Sequence, residues 1–125
     1  MPSKPRRPRK PLTFADVRRI GLALPGVEEG QWYGTPGLKV KAKGFTRLKE
    51  KMDDVIVLGV GTMLERDFLL ESEPAVFFIT DHYRDYPALL IRLAAIEEDA
   101  LTELLTTAWR RIAPKKLVAQ FDARA

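Results

Sequence analysis

Leu38-Lys39-Val40-Lys41-Ala42-Lys43-Gly44-Phe45-Thr46-Arg47-Leu48-Lys49 is the stretch that decides the fold. Leu38, Val40 and Ala42 alternate with Lys39, Lys41 and Lys43, the period of two that marks a strand with one buried and one wet face. Thr46, Leu48 and Lys49 return the pattern after Gly44, so the segment reads as an antiparallel hairpin. Parity selects its loop. With Lys43-Gly44-Phe45 as the loop, Ala42 faces Thr46 and Val40 faces Leu48, and both apolar sets share the inner face. A strict two-residue loop would set Val40 against Arg47 and mix the faces. The preferred register puts Lys41 opposite Arg47 and Lys39 opposite Lys49 on the outer face.

Upstream, Val27 to Tyr33 reads as a first, irregular strand, and Gly34 to Gly37 as a turn enclosing Pro36. Before it, Thr13 is a helix N-cap with Asp16 as a short capping box, and Phe14, Val17, Ile20 and Leu24 form one apolar face. Pro25-Gly26 ends that helix. Downstream, Asp53-Asp54 makes a turn into Val55 to Val60, an apolar run suited to a central strand buried on both faces. Thr62 caps a helix through about Glu71, with Met63, Leu64 and Phe68 inward. Ala75 to Thr80 and Leu89 to Leu93 form an antiparallel pair around the polar and aromatic segment Asp81 to Pro87. Leu101, Leu104, Leu105, Ala108, Trp109 and Ile112 follow the helical template, and Pro114 stops them. Helix, strands, helix, two strands, helix implies a single α+β domain in two layers, an antiparallel sheet of five or six strands against helices. We place its bounds at residues 12–119, after a basic Pro-rich arm at 1–11 and before a C-terminal tail at 120–125.

The chain has 125 residues, no cysteine and a formal charge of +4. That charge is unevenly placed: Lys4, Arg6, Arg7, Arg9 and Lys10 all precede Thr13, and the remainder carries 16 basic and 17 acidic residues, a formal −1. Basic character in the folded body therefore has to come from clustering. Lys39, Lys41, Lys43, Arg47, Lys49 and Lys51 supply it, opposed over that span by Glu50 alone. Like charges across a hairpin repel by a few tenths of a kcal/mol per pair, on the order of what cross-strand pairs are worth. A polyanion relieves such repulsion, and a two-stranded ribbon is a shape that enters a DNA groove. Edge protection against aggregation is the competing reading of those lysines. The arm reads either as a phosphate-tracking polycation or as a solubilising tail. Trp32, Tyr33 and Phe45 stand near the ribbon, either to stack on bases or to pack in the core and turns.

Chemistry is sparse. His82, the single histidine, sits in Asp81-His82-Tyr83-Arg84-Asp85-Tyr86-Pro87, the densest polar cluster. A histidine flanked by carboxylates is a candidate general base. The simpler reading is a connecting loop in which Tyr83 and Tyr86 pack and Asp81 caps a turn. Gly59-Val60-Gly61 echoes a phosphate-binding turn but lacks its third glycine and lysine. Ser3 and Ser72 are the only serines, and neither has a nucleophile's context. The expectation is a non-enzyme without cofactor or metal.

Leu22-Ala23-Leu24-Pro25-Gly26-Val27-Glu28-Glu29, Trp32-Tyr33-Gly34-Thr35-Pro36 and Lys43-Gly44-Phe45 together resemble the MmcQ/YjbR-like family. Phe78-Ile79-Thr80-Asp81-His82-Tyr83, Leu90-Ile91-Arg92-Leu93 and the terminal Ala108-Trp109 with Ala113-Pro114-Lys115 extend the resemblance over about residues 13–118. It implies a two-layer α+β fold of the double-wing type and a DNA-binding label, with no agreed catalytic residues. The expectation is a cytoplasmic bacterial protein that binds nucleic acid, duplex DNA first, through phosphate contacts from the hairpin and from Arg6, Arg7, Arg9 and Lys10. No membrane partner is expected, and a homodimer stays open. The alternative is a protein-interaction or chaperone-like module without nucleic-acid binding.

Overall fold

The computed structural model describes residues 11–52 and 54–124, and for Trp32 the backbone. The basic arm, including Arg6, Arg7, Arg9 and Lys10, lies outside the described residues, as does Asp53 of the expected turn. The elements run α1 (Phe14–Leu22), β1 (Val27–Trp32), β2 (Thr35–Val40), β3 (Lys43–Leu48), β4 (Val55–Gly59), α2 (Met63–Ser72), β5 (Phe77–Phe78), β6 (Ala88–Arg92), α3 (Glu98–Ile112) and α4 (Lys115–Asp122). Every strand pair is antiparallel, and the six strands lie in the order β1-β2-β3-β4-β6-β5. This is an open α+β sheet. The expected order of elements holds through α3, and α4 then runs past the boundary expected at residue 119.

One sheet face carries the core. Leu38 and Val40 of β2, Ile56 and Leu58 of β4, and Leu89 and Ile91 of β6 join Val17 and Ile20 of α1 and Leu101, Leu105 and Trp109 of α3. α1 is set by its cap: the Thr13 N–H donates to Asp16 Oδ2 at 2.9 Å, as the capping box predicts. Trp109 is fully buried, yet its Nε1 donates to the Pro25 carbonyl at 3.0 Å, so the indole meets its polar need inside the core. Phe121 of α4 meets the Trp109 ring edge-on at 5.3 Å.

The hairpin turns differ from the expected ones. Tyr33-Gly34 joins β1 to β2 and Lys41-Ala42 joins β2 to β3, each with both residues at positive φ. These are two-residue turns of the primed kind, whose twist matches the strands. Pro36 consequently lies within β2, opposite Gln31. The pair next to the turn-flanking one makes no ladder bond with its partner, and the β2–β3 ladder ends at Gly37. Proline therefore sacrifices nothing there. In the second hairpin Val40 pairs with Lys43 and Lys39 with Gly44, but Leu38 pairs with Thr46. Phe45 is an extra residue, a bulge that parity counting from a regular ladder does not foresee.

The two-residue turn removes the expected charge repulsion. Lys41 is in the turn, not opposite Arg47, and Lys39 is opposite Gly44 on one side and Glu28 on the other. Arg47 stands opposite Gly37 and Val57.

α2 also departs from its expected packing. Its cap is as expected, with the Glu65 N–H donating to Thr62 Oγ1 at 3.1 Å. But Leu64 and Phe68 are 81% and 70% exposed, and Arg66 is the buried residue. The inward stripe is Arg66, Leu69 and Leu70, spaced i, i+3, i+4, and Leu64 and Phe68 fall on the opposite side. The expected strand at 75–80 shortens to the two residues of β5.

Ala42 holds φ 73° without being a glycine. The left-handed region costs an alanine about 1–2 kcal/mol, and a glycine gives back about 0.5–1 kcal/mol of that in backbone entropy. Ala42→Gly should stabilise the fold by about 0.5–1 kcal/mol, read as a higher urea midpoint at unchanged slope.

Candidate ligand groove on the open sheet face

The sheet face away from the α1–α3 core is only partly covered. Val55 and Leu90 form a small second cluster there with Tyr83, which reaches over from the segment between β5 and β6. A short 3₁₀ turn, Asp81–Tyr83, starts that segment. Beside it the face opens into a groove of about 810 Å³. Val57 and Ala88 floor it, Tyr33 stands on one side, His82, Tyr83 and Tyr86 on the other, and Lys49, Glu50 and Lys51 form the rim.

Arg47 lies at its centre, 8% exposed. A buried guanidinium is costly unless its donors are used. Nη2 donates to Tyr83 Oη at 2.9 Å, and Nη1 donates to the Leu48 carbonyl and Glu50 Oε1, each at 3.3 Å. The guanidinium carbon sits 4.7 Å from the centre of the Tyr33 ring. Lys49 Nζ donates to the same Glu50 oxygen at 2.7 Å. The Lys49 ammonium, then the Glu50 amide and Arg47, hold the Glu50 carboxyl at about 2, down from 4.5.

The facing wall is fixed from behind by Arg66. Its Nη1 donates to the carbonyls of Tyr83 (3.0 Å), Arg84 (2.8 Å) and Tyr86 (3.1 Å). The Tyr83 and Tyr86 carbonyls also accept from the amides of Tyr86 (3.1 Å) and Ala88 (2.8 Å), so Arg66 adds a second bond to each and ties the turn to α2. His82 meets Tyr83 edge-on at 4.8 Å and Tyr86 at 6.1 Å, and its ring is exposed. Arg84 Nη2 pairs with Asp81 Oδ1 at 3.0 Å, outside the groove lining.

The structure thus splits the six hairpin cations expected on one exposed ribbon. Arg47, Lys49 and Lys51 line the groove. Lys39 shares that sheet face, half-buried opposite Glu28, while Lys41 and Lys43 are exposed at the hairpin tip. Phe45 belongs to the core, and Tyr33 is exposed. Beside the expected cations the groove holds Tyr33, one of the aromatics expected near the ribbon, and His82, Tyr83 and Tyr86, which were not expected to join it. The density of polar and aromatic side chains in 81–87 was the signal for three of them. Their meeting with the basic hairpin requires the strand order, which places β6 beside β4.

An open antiparallel sheet with helices packed on its core face places the chain among small α+β proteins. The YjbR family model matches residues 22–111, and the chain belongs to that family. An uncharacterized protein of Mycobacterium tuberculosis and one of Mycobacterium bovis are each 51% identical to it over 126 residues, covering 90% of this chain and 98% of theirs. The crystal structure of Deinococcus radiodurans protein DR2400, with a DUF419 domain, superposes with a TM-score of 0.68 at 19% identity, covering 80% of this chain and 78% of that one. That likeness shows the fold. No helix among the described residues is long and apolar enough to cross a membrane.

Two outcomes follow from the groove's geometry. Tyr83→Phe leaves buried Arg47 one acceptor short and should cost about 1–3 kcal/mol in chemical denaturation. Glu50 has a depressed folded pKa, so its contribution is complete above pH 4.5 and disappears as pH falls toward 2. Glu50 is partly solvated and screened, so Glu50→Gln should cost only about 0.5 kcal/mol at pH 7. The difference between the two proteins should close over that acid interval in pH-dependent denaturation.

Proposed function

We propose that this protein binds nucleic acid, and that it takes an unpaired stretch across the groove in preference to a duplex along the hairpin. One observation carries the reading: Arg47, Lys49 and Lys51 surround the same 810 Å³ groove as Tyr33, His82 and Tyr86. Single-stranded nucleic acid needs that combination, cations along the backbone and π-faces for the bases. Tyr33 and Tyr86 are 74% and 54% exposed, so each offers a ring face to a splayed base. Lys49 and Lys51 at the rim suit phosphates, and Lys39 extends the positive side along the same face. Open sheets bearing aromatics are an established platform for such ligands. A duplex has its bases stacked inside and makes no use of the tyrosines. The division of the hairpin cations between rim and tip also takes away the continuous stripe that a duplex backbone would track.

The test is fluorescence anisotropy with a labelled 12-nucleotide single strand, as DNA and as RNA, against its duplex at several salt concentrations. The single strand should bind more tightly. Tyr33→Ala with Tyr86→Ala should weaken it tenfold or more, since each stacked base is worth about 1–3 kcal/mol. Lys49→Ala with Lys51→Ala should lower the salt slope by about 1.4, at roughly 0.7 for each phosphate no longer neutralised. A chain starting at Pro11 should keep the preference for the single strand. Equal binding by the groove variants, or dependence on the arm alone, would rule out the groove as the binding site. A protein-interaction module without nucleic-acid binding predicts no signal even at low salt.

A further inference from the structure

We infer that the outer face of α2 docks a cationic amphipathic helix of another protein. Leu64 and Phe68, 81% and 70% exposed, stand i, i+4 on this face. A single exposed leucine is ordinary on a protein surface; two adjacent large side chains forming a ridge are not. A hollow lies on each side of the ridge, about 530 Å³ and about 360 Å³, and Leu64 and Phe68 border both. An i±4 ridge between two hollows is the surface that interlocks with a second helix.

The charges around the ridge select the occupant. Glu65 borders one hollow, and Asp67 and Glu71 the other. The one arginine of α2, Arg66, is buried and committed to the carbonyls of Tyr83, Arg84 and Tyr86. The exposed face of α2 is therefore apolar with an acidic border. A second copy apposed through α2 would bring carboxylates against carboxylates, and an anionic membrane surface would be repelled. The chain's own arm has the right charge, but Met1 is the only large apolar residue before Pro11, so it can meet the border without covering the ridge. A helix with leucine-like residues on one face and lysine or arginine beside them satisfies both features. Docked there, it would lie on the opposite side of α2 from Arg66.

The probe is a labelled 16-residue peptide of leucine and lysine, with leucines at i, i+3, i+4 and i+7. It is compared with a scramble of the same composition and with a leucine–glutamate counterpart. Binding is followed by anisotropy, and its location by amide shifts of the ¹⁵N-labelled full chain. The patterned lysine peptide should bind and perturb residues 63–72. Leu64→Ser with Phe68→Ser should weaken it at least tenfold, and Glu65→Gln with Glu71→Gln several-fold. Both serine positions are exposed, so the variant should keep its amide spectrum elsewhere. The inference fails if the scramble binds equally, if the shifts fall elsewhere, or if the serine variant binds as before. It also fails if sedimentation shows a dimer that the serine variant abolishes, which would make a second copy the occupant. Appearance of peptide binding only after removal of residues 1–10 would make the arm the occupant and overturn it as well.

Discussion

One extra residue, Phe45, sets the side of the sheet to which Arg47 belongs. In a regular ladder from the Lys41-Ala42 turn, Arg47 would pair with Pro36, on the face of Leu38 and Val40. Its guanidinium would then enter the apolar core, a burial that costs several kcal/mol without partners. The bulge shifts the register so that Thr46 and Leu48 take the core side and Arg47 the other. Phe45 turns into the core and fills space next to the helices, and Thr46 Oγ1 donates to the Val57 carbonyl at 2.8 Å. Bulges frequently re-aim a side chain in this way beside a functional surface.

Once Arg47 is on the open face, Tyr83 becomes the joint between two buried arginines. Its hydroxyl accepts from Arg47 and its carbonyl accepts from Arg66. The first arginine comes from the sheet and the second from α2, so the 81–86 segment is anchored from both sides. A loop tied this way presents His82 and Tyr86 in fixed positions, and a prearranged groove loses less entropy when a ligand orders on it. The same tie explains α2. Its inward arginine meets three backbone carbonyls, and this commitment leaves Leu64 and Phe68 facing water.

The sequence made the architecture legible where side-chain period and burial agree. α1, β6 and α3 are strongly patterned, and their faces lie where the pattern puts them; β4 is central as expected, but Val57 on its second face is half-buried and floors the groove. The hairpin failed at its turn because Lys41 and Ala42 carry none of the usual signals for left-handed backbone, while Gly44 advertised a loop that is not there. The bulge was invisible to parity, which assumes a regular ladder. α2 misled for a different reason: its most apolar residues are outside, and the inward position is held by an arginine whose partners lie 17 to 20 residues away in sequence. The groove was half legible. Its cations and its aromatic segment were each conspicuous, but only the neighbouring of β4 and β6 unites them.

The proposed nucleic-acid binding therefore turns on a different surface from the one that the charge pattern suggested. The hairpin supplies three of its six cations to a groove whose other wall is aromatic, and the arm is a separate polycation. Amide shift mapping of the full ¹⁵N-labelled chain with an unlabelled single-stranded oligonucleotide measures this most directly. The largest perturbations should fall at Tyr33, Arg47, Lys49, Val57, His82 and Tyr86. Perturbations confined to Lys41–Lys43 and the residues before Pro11 would contradict binding in the groove.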